Sequence, residues 1–155
     1  MELARNLIID SVSRLTPTAP LRIRPEQDVA DAVALMRQHR VGCVLVCQDV
    51  RLVGIFTERD LMRRVLAEGL PLTVPVSTAM TPDPVVVYPK ETVGAAVRRM
   101  EEGGYRHLPV VDQAGRPLGV LSVKRIVHYL VEHFPSTIYN LPPDPNAFPR
   151  RAEGA

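Results

Sequence analysis

Gly54-Ile55-Phe56-Thr57-Glu58-Arg59-Asp60 is a short apolar run that ends in a hydroxyl residue, followed three positions later by a carboxylate. The pattern predicts a strand that hands the chain to a helix. A Thr at the N-cap accepts a hydrogen bond from an orphan amide of the first turn, and an acid three residues on reaches back to the cap. Gly119-Val120-Leu121-Ser122-Val123-Lys124-Arg125 has the same layout, at an offset of 65 from Gly54 to Gly119 and from Thr57 to Ser122. A motif of this length recurring at one spacing implies an internal duplication.

The duplication extends upstream. Residues 28–36 and 92–100 superimpose at an offset of 64, with Val29 on Val93, Val33 on Val97 and Met36 on Met100. That apolar spacing is helical. Cys43-Val44-Leu45-Val46-Cys47 and Leu108-Pro109-Val110-Val111 follow, rich in β-formers, and then Leu52-Val53 and Leu118 lead into the two turns. Each unit therefore reads β-α-β-β-α. Because the offset grows from 64 to 65 between the strands, the second hairpin (112–115) should be one residue longer than the first (48–50), a change that hairpin loops absorb easily.

The chain has 155 residues, and a repeat of about sixty buries little core alone, so the halves should pack into one α+β unit. A net charge of +2, from 19 basic and 17 acidic side chains, gives no electrostatic reason to expect extensive nucleic-acid contacts. Cys43 and Cys47 lie on one predicted strand, same face, about 13 Å apart, and read as small buried hydrophobes rather than a disulfide. No apolar run is long enough to cross a bilayer, and the first residues lack a basic region followed by an apolar stretch, so a cytoplasmic location is expected.

Taken in order, residues 1–15 predict a short helix with Leu3, Leu7, Ile8, Val12 and Leu15 at near-helical spacing. Thr16-Pro17 breaks it, and residues 16–70 form the first repeat, entered through an edge strand over 21–25 and a helix from Asp28 to His39. An apolar stripe of Leu61, Met62, Val65 and Leu66 runs to Gly69. Residues 71–84 form a Pro-rich linker in which Thr81-Pro82 echoes Thr16-Pro17, and 85–133 form the second repeat. Its last helix, from Ser122 to about His133, is apolar over much of its circumference, which points to a partner. In 134–155 the prolines 135, 142, 143, 145 and 149 argue against helix and sheet.

Thr57 and Asp60 have two readings. One is a capping box, serving only the helix. The other uses the same atoms for a ligand: a phosphate at the helix start beside the Thr57 hydroxyl, and the two hydroxyls of a ribose on Asp60. Ribose and phosphate together mean a nucleotide. Ser122 keeps the cap while Arg125 replaces the acid. Arg106, His107, Lys124 and Arg125 cluster at equivalent ends of the second repeat and supply basic groups for phosphate.

The paired β-α-β-β-α units, the Gly54–Asp60 turn, Ala79-Met80-Thr81-Pro82 and Arg106-His107-Leu108-Pro109-Val110 resemble a tandem pair of CBS domains, the cystathionine-β-synthase regulatory module, over about residues 15–133. The resemblance implies a pseudo-twofold disc, or Bateman module, with two clefts that take AMP, ADP, ATP or S-adenosylmethionine. It implies that in the first cleft Thr57 meets phosphate, Asp60 the ribose, and Ile55 and Pro109 the base, with Arg106, His107 and Lys124 reaching the phosphates and the backbone near Thr16 and Pro17 meeting adenine. With Arg125 in the place of the acid, the second cleft is expected to be empty or weak. A homodimer through helix faces, with no obligatory cofactor and an output to a regulated protein in trans, is the family expectation.

Two other functions compete. An enzyme is disfavoured because no nucleophile and base stand in a recognisable arrangement, and His39, His107, His128 and His133 lack metal-ligand spacing. A structural adaptor or nucleic-acid-binding protein is motivated by Arg63-Arg64, Arg98-Arg99 and Arg150-Arg151, but these pairs are scattered along the chain.

Overall fold

In the computed structural model, which describes residues 2–140, the chain enters through α1 (Glu2–Ile9) and a 3-10 turn over Val12–Leu15. The first repeat is β1 (Arg22–Ile23), α2 (Val29–His39), β2 (Cys43–Gln48), β3 (Arg51–Thr57) and α3 (Glu58–Asp60), which continues as a π-helical stretch over Leu61–Leu66. After α4 (Val76–Ala79) and β4 (Thr81–Pro82), the second repeat is α5 (Val93–Gly103), β5 (His107–Val111), β6 (Pro117–Ser122) and α6 (Val123–His133). The two repeats form the expected α+β pair.

The two helices α2 and α5 bury corresponding residues, Val29, Ala32 and Met36 in one and Val93, Ala96 and Met100 in the other. Their starts differ. Thr92 caps α5 by accepting from the Ala95 amide, whereas Asp28 stands at the N-cap of α2 without a side-chain cap bond. The hairpins differ as the offset requires: the pair Cys47 and Leu52 encloses residues 48–51, while the equivalent pair Val111 and Pro117 encloses 112–116, one residue more. There the Asp112 carboxylate accepts from the Ala114 and Arg116 amides and from the Arg116 guanidinium.

The sheet of the first repeat has the order β1-β2-β3-β4, with β1 parallel to β2 and the other pairs antiparallel. Its last strand comes from the linker, since Thr81 pairs with Ile55. The second repeat reproduces this arrangement with single bridges: Val87 lies parallel to Val110, and Thr18 pairs antiparallel with Val120. Each sheet is thus completed by the stretch that leads into the opposite repeat. The glycines that open the two motifs permit the crossing. A Cβ on Gly119 would lie 2.9 Å from Pro17 Cβ and 3.1 Å from the Thr18 carbonyl, and one on Gly54 would lie 3.1 Å from the Thr81 carbonyl and overlap the Met80 sulfur.

Three apolar clusters follow from this layout. Ile23, Val29, Met36, Val44, Val46, Phe56 and Val65 fill the helix side of the first repeat, and Val93, Met100, Leu108, Val110, Leu121 and Ile126 that of the second. Between the repeats, Cys43, Leu45, Cys47 and Ile55 meet Val120. Both faces of β2 are therefore covered, which is why its run is continuously apolar rather than alternating. Both cysteines are free and buried.

The N-terminal segment docks on the second repeat, not on the first. The Val93 amide donates to the Asp10 carbonyl (2.9 Å), and the Val12 and Ser13 amides donate to the Glu91 and Pro89 carbonyls. The Asp10 carboxylate, 7% exposed, accepts from the Tyr129 hydroxyl and the Arg14 guanidinium. The linker plays the same part for the first repeat, where Val29 donates to Val74.

Two expectations are corrected. Pro135 does not forbid a helix: it occupies the first turn of α7 (Pro135–Tyr139), where a missing amide leaves no bond unmade. Prolines 142, 143, 145 and 149 and the pair Arg150-Arg151 lie outside the described residues. Of the stripe after Asp60, Val65 is buried, but Met62 and Leu66 are 65% and 60% exposed.

Replacing Asp10 by Ala leaves the buried Tyr129 hydroxyl without its acceptor and should cost about 1–3 kcal/mol of stability, read as a lower urea midpoint with an unchanged slope. An unaltered midpoint would mean that the docked segment contributes nothing to the fold.

Candidate functional site

The Thr57–Asp60 turn is a complete capping box. Asp60 Oδ2 accepts from the Thr57 amide (3.0 Å) and from Thr57 Oγ1 (3.1 Å), and the Asp60 amide donates to Thr57 Oγ1 (3.2 Å). Asp60 Oδ1 has looser partners, Thr81 Oγ1 at 3.3 Å and Arg64 Nε at 3.5 Å. Asp60 is 7% exposed, a buried carboxylate held by two hydroxyls, an amide and a cation. Beside it, Arg59 ties α3 to the other repeat by donating to the Gly104 carbonyl (2.9 Å).

The equivalent turn in the second repeat borders a cavity of about 340 Å³ at the junction of the repeats. Ala19, Leu21, Val41 and Val120 give it an apolar wall, and Thr18 and Ser122 contribute hydroxyl residues. Arg40, Lys124, Arg125, His107 and His128 make the remainder basic, with Gly42 and Cys43 closing it. Ser122 caps α6 by accepting from the Arg125 amide (3.1 Å), so the Lys124 and Arg125 side chains are carried on the first turn of that helix. Among the described residues, Arg40, Lys124 and Arg125 take part in no ion pair.

Backbone strain adds to the picture. Arg40 ends α2 in the left-handed region, at φ 53°, whereas the residue that ends α5 in the same conformation is Gly104. An L side chain there costs about 1 kcal/mol relative to glycine, and its result is a guanidinium at the cavity.

Burial sets the chemistry of the neighbouring groups. The His107 pKa is lowered below the ordinary value of 6.5 by burial, opposed by the Glu58 carboxylate and reinforced by the Arg106 cation. Burial and then Glu58 push the Cys43 thiol up to about 12, which leaves it an inert wall rather than a nucleophile. Burial likewise raises Cys47. Among the described residues, no three His, Cys, Asp or Glu side chains gather as metal ligands would.

The residues singled out in the sequence do not form one group. Thr57 and Asp60 meet Thr81, and Ile55 lies behind them in the central cluster. His107 and Lys124 line the cavity instead, with Ser122 in the place of Thr57. Pro109 is buried in β5 opposite Val120, and Arg106 is exposed, its carbonyl accepting from the Val123 amide. Pro17 packs over Gly119, and the strand register sets Thr18, not Thr16, in the position that Thr81 holds beside the first turn. The cavity opens beside Ser122 and Arg125, at the cleft expected to be empty or weak. Sequence reasoning missed Thr18, Arg40, Gly42 and His128. At the offset of 64 Gly42 maps onto Arg106 and Arg40 onto Gly104, so only Gly42 had a counterpart among the residues singled out.

Similarity to known proteins bears on the whole arrangement. The CBS domain family profile matches residues 12–67 and 76–132. The CBS domain-containing protein YhcV of Bacillus subtilis is 33% identical over 105 residues, 68% of this chain and 75% of that protein. CBSCBSPB1 of Arabidopsis thaliana is 33% identical over 124 residues, 78% of this chain, but the match spans only 23% of that longer protein. Among solved structures, the CBS domain NE2398 superimposes with a TM-score of 0.73 at 30% identity, covering 79% of this chain and 98% of its own. CBSX2, solved in complex with AMP, superimposes with a TM-score of 0.67 at 26% identity, covering 79% and 96%. The chain belongs to the CBS domain family, as a tandem pair of repeats joined through exchanged edge strands.

Proposed function

We propose that this CBS pair is a regulatory sensor that binds an adenosine-containing ligand between its repeats, AMP, ADP or ATP, with S-adenosylmethionine as the alternative. It passes the occupancy to a partner in trans. The observation that carries this reading is the cavity of about 340 Å³ between the repeats, apolar on one side and basic on the other. A base needs the first wall and a phosphate the second, and the volume lies in the range of small-molecule sites. The AMP held by CBSX2 supports the same ligand class. In this reading the base lies against Val41 and Val120, and the phosphates meet His107, Lys124 and Ser122. Arg106 stands at the rim, and Pro109 with Ile55 supports the wall from behind.

Thr57 and Asp60 form the counterpart position. There the Thr81 hydroxyl on Asp60 Oδ1 occupies a place that a ribose hydroxyl would take, so a ligand must displace that bond to bind. Thr16 and Pro17 act on the Ser122 side by positioning Thr18. The protein works in the cytoplasm, and among the described residues no helix is long and apolar enough to cross a membrane.

A homodimer is the second part of the proposal. Met62 and Leu66 beyond α3 and Val123 and Val127 on α6 are 65, 60, 41 and 50% exposed, and Met62 and Val127 correspond at the offset of 65. Four such side chains on the equivalent helices of a small protein favour a covered face. The nucleic-acid alternative is weakened by the arginine pairs themselves. Arg64 is spent on Asp60 and the Met80 carbonyl, and Arg99 on Glu91 and the Val86 carbonyl.

Calorimetric titration with AMP, ATP and S-adenosylmethionine should give saturable binding of at least one of them, and Lys124→Ala should weaken it by about 1–2 kcal/mol, the scale of a charge-assisted hydrogen bond. Binding of none of the three would sink the sensor reading and leave an interaction scaffold. The pH dependence has a defined sign. His107 is neutral in the free protein at neutral pH, and a phosphate beside it favours its cation, so binding takes up a proton. Affinity should therefore rise as pH falls from about 7 towards 6, and His107→Gln should flatten that slope. For the oligomer, Met62→Glu with Val127→Glu should convert a dimer to a monomer in sedimentation. A wild-type monomer at micromolar concentration would refute the dimer.

A further inference from the structure

The cavity beside Ser122 differs from the Thr57 turn in its charge, and the difference bears on which ligand it selects. Three permanent cations, Arg40, Lys124 and Arg125, line it together with His107 and His128, and among the described lining residues there is no Asp or Glu. Glu58 is not part of the lining, but its carboxylate borders it, 3.8 Å from where a Cβ on Gly42 would stand and close enough to act on His107 and Cys43. Where the first turn carries Asp60, this one carries Arg125, so the group that accepts both hydroxyls of a ribose is absent. Among the described residues these cations have no ion-pair partner, and Arg40 is held in a left-handed conformation that glycine adopts in the sister repeat. Arg40, Lys124 and His128 are exposed, so water and salt screen their mutual repulsion, and an anionic occupant gains attraction from all of these cations at once.

We propose that this cavity reads the phosphate chain of its ligand and not the ribose: it selects a nucleoside triphosphate over a monophosphate, accepts the 2′-deoxy form equally, and rejects the sulfonium ligand S-adenosylmethionine. The inference rests on the nucleotide-binding reading above and adds its specificity. Each added phosphate brings negative charge within reach of Arg40, Lys124 and Arg125, whereas the ribose meets only the apolar wall and the Thr18 and Ser122 hydroxyls. A positively charged sulfonium and ammonium ligand would add to the repulsion already present.

The experiment is a set of competition titrations with ATP, 2′-deoxy-ATP, AMP, inorganic triphosphate and S-adenosylmethionine, at two salt concentrations, on the wild type, Lys124→Ala/Arg125→Ala and Asp60→Asn. ATP should bind at least about ten-fold tighter than AMP, with 2′-deoxy-ATP within about three-fold of ATP, triphosphate competing, and binding weakening steeply with salt. The ratio of ATP to AMP should collapse in Lys124→Ala/Arg125→Ala and survive in Asp60→Asn, with circular dichroism confirming that each variant is folded. Equal affinity for AMP and ATP, or a large loss with the 2′-deoxy ligand, would overturn the inference while leaving the nucleotide reading intact. Loss of the preference in Asp60→Asn alone would move it to the first turn and also overturn the inference. Binding of neither a nucleotide nor triphosphate would overturn both.

Discussion

The exchanged edge strands are the constraint on which the rest of the molecule depends. Thr81 pairs with Ile55 and Thr18 with Val120, so neither repeat closes its own sheet. A backbone that must pass directly over β3 and β6 leaves no room for a side chain there, and Gly54 and Gly119 meet that need at the start of each motif. The same crossing carries α1 and the 3-10 turn onto the second repeat and the linker onto the first, where each supplies carbonyls to the start of the facing helix. Two units of about sixty residues, each too small to bury much core alone, become one body because each holds a piece of the other's boundary.

That arrangement also determines where polar chemistry can sit. The faces of β2 and β3 that look towards the second repeat are apolar, with Cys43, Leu45 and Ile55 against Val120, so charge is confined to the strand ends where the helices start. At one end the charge is internally satisfied: Asp60 is held by its own cap, Thr81 and Arg64. At the other end it is not, since Arg40, Lys124 and Arg125 face a cavity without a carboxylate in its lining among the described residues. Duplication thus produced two similar frames with opposite electrostatics. A single exchange at corresponding positions, Asp60 against Arg125, changes what each frame attracts.

Local chemistry made much of the fold legible. The capping residues Thr57, Thr92 and Ser122 lie where helices begin, and Val29, Met36, Val93 and Met100 lie on buried helical faces, because capping and amphipathic spacing act within a few residues. The extra residue of the second hairpin followed from the offset alone. Pro135 misled because its meaning depends on position: forbidden inside a helix, it is compatible with the first turn. The echo of Thr16 with Thr81 is a likeness of letters and not of strand register. The path from the 3-10 turn to β6 uses one more residue than the path from α4 to β3, so the strand register selects Thr18.

By itself the sequence determined the duplication, the β-α-β-β-α order of each unit and the residue types available at each helix start, since all of these are local and repeat at a constant offset. Only the tertiary structure decided which stretch completes which sheet, that Asp60 is enclosed by its cap, and that a cavity lies beside Ser122, Lys124 and Arg125. The physical reason is that a cavity is a property of surfaces brought together from opposite repeats. Arg40, His107 and Lys124 are far apart in the chain, and no periodicity or spacing records that folding carries them to the same wall.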